Sequence, residues 1–111
     1  MFLPEILKER KGELMPTYAM LMKWTEQGAK TLKDAPQRLE QATKAYEASG
    51  GKVLGYWVTM GEYDILAIGE IASEEAAAAF ALGLSAQGNV KTTTFRMYTP
   101  EEFAKLVKML P

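Results

Sequence analysis

Between Thr17 and Trp24 the side chains alternate with a period of two. Tyr18, Met20, Met22 and Trp24 fall on one face, and Thr17, Ala19, Leu21 and Lys23 on the other. Both faces are largely apolar, which predicts a strand covered on two sides, by helices on one and by something else on the other. The period then lengthens. Thr25 can cap a helical turn at Glu26, although Gly28 weakens it. The stronger helix start is Asp34-Ala35-Pro36-Gln37, with Asp34 suited to the N-cap, Pro36 to the first turn and Gln37 to reaching back. Leu39, Ala42, Tyr46 and Ser49 recur on one face of this helix, while Arg38, Glu40, Lys44 and Glu47 face water; Gly50-Gly51 ends it.

Lys52 to Met60 reads as a second strand, apolar on both faces through Val53, Leu54, Tyr56, Trp57 and Val58. Gly61 supplies the positive φ of a hairpin turn, and Tyr63 to Ile71 returns antiparallel as a third strand. Ser73 caps a helix whose apolar stripe runs through Phe80 and Leu84, with small residues between them that permit close approach to the sheet. After Gln87-Gly88-Asn89, a fourth strand from Val90 to Tyr98 sets Thr92, Thr94 and Arg96 on one face and Thr93, Phe95 and Met97 on the other. Thr99-Pro100-Glu101-Glu102 is a capping box, with Tyr98 able to staple against Phe103. The helix it opens carries Phe103, Leu106, Val107 and Leu110 as an expected buried stripe, leaving Lys105 and Lys108 exposed. The order βαββαβ plus a C-terminal helix predicts an α+β, ferredoxin-like domain with both main helices on one face of an antiparallel sheet. The other, apolar face is expected to pack on a second copy, as in the dimeric α+β barrels.

Composition narrows the chemistry. The 111 residues fit one domain, and no apolar run is long enough to span a membrane. Thirteen basic and fourteen acidic residues, without a basic cluster, argue against nucleic acid as a partner. There is no Cys and no His, so thiol catalysis, thiolate metal sites and imidazole proton transfer are unavailable, and no cofactor is expected. A cytoplasmic location fits this composition. Residues 1–14 read apart from the domain at 15–111: Lys11-Gly12-Glu13 can be encoded by a purine-rich ribosome-binding sequence just ahead of Met15. They are either a translated leader or a helical extension.

Three blocks carry a family resemblance: Thr17-Tyr18 with Leu21-Met22-Lys23-Trp24-Thr25, then Gly61-Glu62-Tyr63-Asp64, then Gly88-Asn89-Val90-Lys91-Thr92-Thr93-Thr94. Together they resemble the GYD domain proteins of bacteria and archaea over nearly everything from Met15 to Pro111. The resemblance implies a small dimeric α+β barrel, a fold shared with monooxygenases, isomerases and ligand-sensing domains. It implies no particular reaction.

Two groups of residues are candidates for a site. Asp64, with Tyr63, is the candidate acid of the turn; it can accept from nearby turn amides, pair with Arg96, or act on a substrate. Tyr18, Trp24, Tyr56 and Trp57 can line an aromatic pocket between sheet and partner, where Thr92, Thr94 and Arg96 can hold an anion, or they can serve as core and interface. The carboxylates Glu74, Glu75, Glu101 and Glu102 sit in first turns of helices, where dipole and capping effects account for them without a metal. Three functions follow: a homo-oligomeric domain that binds a small molecule or partner, a cofactor-independent oxygenase-like or isomerase-like enzyme, or a structural assembly module.

Overall fold

Strand β1 (Thr17–Trp24) is hydrogen-bonded along both edges, to β3 (Ile65–Glu70) on one side and to β4 (Val90–Met97) on the other, both antiparallel. This computed structural model describes residues 15–111, so the leader question at residues 1–14 lies outside it. β2 (Lys52–Val58) adds to the far edge of β3, giving a four-stranded sheet in the order β2-β3-β1-β4. The helices are α1 (Glu26–Lys30), α2 (Ala35–Ala48), α3 (Glu74–Gln87) and α4 (Pro100–Lys108). This is the ferredoxin-like α+β arrangement that the element order predicts.

The alternation in β1 decides which side is the core. Met20 and Met22 pack with Ile65 against Leu39, Phe80 and Leu84, and Tyr18 packs with Tyr46, Ile71 and Ala77. Tyr18, Met20, Met22 and Trp24 therefore face α2 and α3, and Ile65 and Ile71 are fully enclosed. Among the described residues no helix covers the other face, where Trp57, Leu66, Leu21 and Thr93 lie in one cross-strand row. A β-bulge between Val53 and Gly55 inserts Leu54 as an extra residue, which the apolar pattern of this strand does not signal.

Helix starts show how local chemistry competes with propensity. Thr25 caps α1 by accepting from the Gly28 N–H at 3.0 Å, and Ser73 caps α3 by accepting from the Ala76 N–H at 3.1 Å. Asp34 does not cap α2 as expected. A 3₁₀ turn over Leu32–Asp34 leads into the helix and holds Asp34 at φ −89°, ψ −3°, outside the extended conformation a capping side chain needs. The capping box of α4 forms in full: Glu102 N–H donates to Thr99 Oγ1 at 3.0 Å, and Thr99 N–H to Glu102 Oε1 at 2.9 Å. Its stripe is not buried, however. Phe103 is 61% and Leu110 68% exposed, and Tyr98 is exposed as well.

Gly28 is required by close approach. A Cβ there would stand 2.0 Å from the Asn89 carbonyl oxygen, which already accepts from the Thr25 N–H. Gly83 in α3 is the contrasting case, since a Cβ there meets nothing within 4 Å. Urea denaturation should separate them: Gly28→Ala is expected to cost about 1–3 kcal/mol by overpacking, and Gly83→Ala to add up to about 1 kcal/mol of helix propensity.

Candidate functional site

Helices α2 and α3 pack on one face of the sheet without closing on each other. The groove where they face one another includes Ala42 and Ala45 on α2 and Ala79 and Gly83 on α3, which are too small to fill it. An apolar cavity of about 100 Å³ remains beneath them. Met20, Met22 and Ala67 line it from the central strands, Leu39 and Ala42 from α2, and Phe80 and Leu84 from α3. The Tyr46 and Phe80 rings meet edge to face with centroids 4.9 Å apart. Trp24, Arg38 and Gln87 contribute from the end of the sheet where β1 finishes and β4 begins. A groove between the helices shares Arg38, Ala42, Phe80, Leu84 and Gln87 with the cavity and connects it to the surface.

The polar groups of the cavity are few. Among the described residues Arg38 is its only cation, and no carboxylate lines it. The Arg38 Nη1 donates to the Thr31 carbonyl at 3.0 Å and to Thr31 Oγ1 at 3.1 Å, and Nη2 donates to the Gly28 carbonyl at 3.4 Å. Burial, followed by the charge of Glu70 and the neighbouring Tyr18, pushes the Tyr46 hydroxyl up to about 12, which keeps the phenol neutral. Thr94 Oγ1 is buried without a hydrogen-bond partner.

The Gly61-Glu62-Tyr63-Asp64 turn spends its groups on the sheet. Gly61 takes φ 110°, Thr59 N–H donates to the Asp64 carbonyl at 2.8 Å, and Thr59 Oγ1 donates to the Tyr63 carbonyl at 2.7 Å. Asp64 N–H donates to the Met22 carbonyl at 2.8 Å, while its Oδ2 accepts from the Trp24 N–H at 2.9 Å. One residue thus holds the backbone on both sides of Lys23. The Tyr63 ring lies under Lys23 Nζ at 5.3 Å, and Lys23 also pairs with Glu62 at 3.9 Å.

Arg96 belongs to a different cluster. Its guanidinium lies over Tyr98 at 4.4 Å and Tyr18 at 5.9 Å, donates to the Met97 carbonyl, and pairs with Glu102 at 3.4 Å. The Thr99 N–H and then Arg96 hold the Glu102 carboxyl below its usual range.

The structure brings Tyr18, Trp24, Tyr56 and Thr94 to one cavity, with Thr92 on the same strand face as Thr94. That cavity lies under the helices instead of against a partner copy, and Trp57 is on the opposite face of the sheet. Asp64 and Arg96 do not meet. They stand near Trp24 and Tyr18, at opposite ends of β1, about 20 Å apart at the rise of a strand. Arg38 was expected to face water; its long side chain reaches over the cavity edge. The signal available was the run of small residues on both helices. Among the described residues no group of acidic side chains is placed to hold a metal ion.

A four-stranded antiparallel sheet carrying two helices on one face, with a turn acid bound to the central strand, defines a ferredoxin-like α+β domain. The chain belongs to the GYD domain family, whose model matches residues 18–107. A Thermus thermophilus protein named glutamine synthetase and cystathionine beta-lyase binding protein is 32% identical over 81 residues, covering 72% of this chain and 85% of that protein. No solved structure matches.

Asp64→Ala removes the acceptor of the Trp24 N–H and is expected to cost about 1–3 kcal/mol in urea denaturation, whereas Asp64→Asn, which keeps an acceptor oxygen, loses less. Glu102 gives a pH test of α4. Its folded pKa lies below the unfolded one, so its contribution is present above the ordinary carboxylate range and is lost on acidification through the folded pKa. Far-UV circular dichroism should show part of the helix signal falling below about pH 4.5, and Glu102→Gln should remove that component.

Proposed function

We propose that the chain is a self-associating, protein-binding domain whose partner is a metabolic enzyme. The observation that carries this reading is the sheet face away from the helices. Trp57 is 52% and Phe95 45% exposed there, beside Leu21, Leu66 and Ile68. Contiguous apolar surface of this kind suits a second copy related by a twofold axis, where one patch meets itself. The exposed stripe of α4 is a second apolar surface, of the helix-in-groove type, and suits the enzyme partner. The name of the Thermus thermophilus relative supports an enzyme as that partner. A location in the cytoplasm follows from such a partner, and no helix among the described residues is long and apolar enough to cross a membrane.

The oxygenase-like or isomerase-like alternative has less support, because no carboxylate among the described residues lines the cavity and Asp64 is committed to the Trp24 N–H. Light scattering coupled to size exclusion tests the self-association: Trp57→Glu with Phe95→Glu is expected to give a monomer, and an unchanged mass would overturn the sheet-face interface. Purified glutamine synthetase and cystathionine beta-lyase test the partner. Co-elution with one of them, weakened by Phe103→Glu, is expected, and no complex with either overturns the enzyme-binding reading.

A further inference from the structure

We propose that the cavity between the helices and the sheet is a binding site for a small monoanion with a ring-sized apolar body, of the aromatic carboxylate class. Its volume, about 100 Å³, sets the size of the body. A closed apolar cavity of roughly 150 Å³ holds benzene; this one is smaller but adjoins the groove between the helices, so a ring lies with one edge in the cavity and its substituent toward the groove. The walls are apolar where the ring would rest, on Met20, Met22, Phe80 and Leu84.

The charge preference comes from Arg38. Its three hydrogen bonds all go to neutral oxygens, of Thr31 and Gly28, and among the described residues it has no ion pair. A guanidinium has five N–H donors, so five less three leaves two for a ligand. Those same bonds hold the group in place, so a ligand need not order it. A cation at the edge of an apolar cavity, unpaired and prepositioned, selects an anion. Stapling the α1–α2 connection accounts for the three existing bonds but not for a void kept open by alanine and glycine on two facing helices.

Thr94 is the second observation. It lines the inner wall, and its hydroxyl is the only buried side-chain oxygen or nitrogen among the described residues that lacks a partner. A single staggered step in χ1 exchanges the hydroxyl with the methyl, turning the O–H toward the face of the ligand's ring, a weak contact that still gives the buried donor a partner. The site needs neither a second copy nor an enzyme partner, so it stands apart from the protein-binding reading.

Benzoate and toluene are the probes, followed by amide chemical shifts of the labelled protein and by melting temperature. Benzoate is expected to give saturable shifts centred on Thr94, Ala42 and Phe80 and to raise the melting temperature. Arg38→Gln should weaken benzoate roughly tenfold or more while leaving toluene unchanged, as loss of a charged hydrogen bond predicts. Thr94→Val should melt higher than the parent without ligand yet bind benzoate less well. Ala42→Phe, which fills the cavity, should abolish both probes; if it fails to fold, Gly83→Leu blocks the groove from an open helix surface. The Trp57→Glu, Phe95→Glu variant should bind benzoate as the parent does. Absence of any saturable shift with either probe overturns the proposal, as do shifts centred on Trp57 and Phe95 or an equal effect of Arg38→Gln on both probes.

Discussion

Two consecutive backbone amides at the end of β1 hold this molecule in register. Trp24 N–H is taken by the Asp64 carboxylate from the β3 side, and Thr25 N–H by the Asn89 carbonyl from the β4 side. A central strand that ended without these partners would leave two donors unsatisfied where the chain is half-buried. The hydrogen bonds also set the direction in which the chain leaves the sheet. Gly28 then passes against Asn89, Gln27 reaches Gln87 and Asn89, and Arg38 reaches back to Thr31 and Gly28. The placement of α2, and with it one wall of the cavity, therefore depends on a carboxylate forty residues away from the strand end it holds.

The helices answer to two demands that compete. Each must bury a stripe against the sheet, which Leu39 and Tyr46 do for α2 and Phe80 and Leu84 for α3. Each can also pack on its neighbour, and here the groove between them is lined by Ala42, Ala45, Ala79 and Gly83 with Gln41 and Gln87 beside them. Small side chains bring helices together only when nothing else holds them apart. In this domain the larger sheet-facing side chains set the helix positions first, so the short ones span too little and a void results.

Much of this architecture was legible because periodicity is a local property. The alternation of β1 and β4, the Ser73 cap and the Thr99 capping box each depend on residues within one element, and all form. What escaped depends on relations between elements. Parity says that Tyr18, Trp24, Tyr56 and Thr94 share a face but not which face the helices will cover, and the structure sets that face under α2 and α3. Asp34 has the right residue type for a cap, but the preceding 3₁₀ turn sets its backbone. The stripe of α4 has the spacing of a buried face, yet it is exposed, and the sequence carries no mark of what would cover it.

The proposed cavity and the proposed interface lie on opposite faces of the same strands, and Ile68 of β3 borders both. Thr94 and Phe95 are adjacent in β4, as Tyr56 and Trp57 are in β2, and each pair divides between the two faces. Coupling between ligand and partner would have to pass through the backbone, by a shift of one strand against the next. β4 is paired with β1 from Thr17–Met97 to Trp24–Val90, and β1 is in turn pinned at its end by Asp64 and Asn89. A strand held along its whole length has no second register to move into, because a slip of one residue would turn every apolar side chain to the wrong face. The two surfaces are therefore expected to act independently, and the turn acid that first suggests chemistry instead provides the rigidity that keeps them apart.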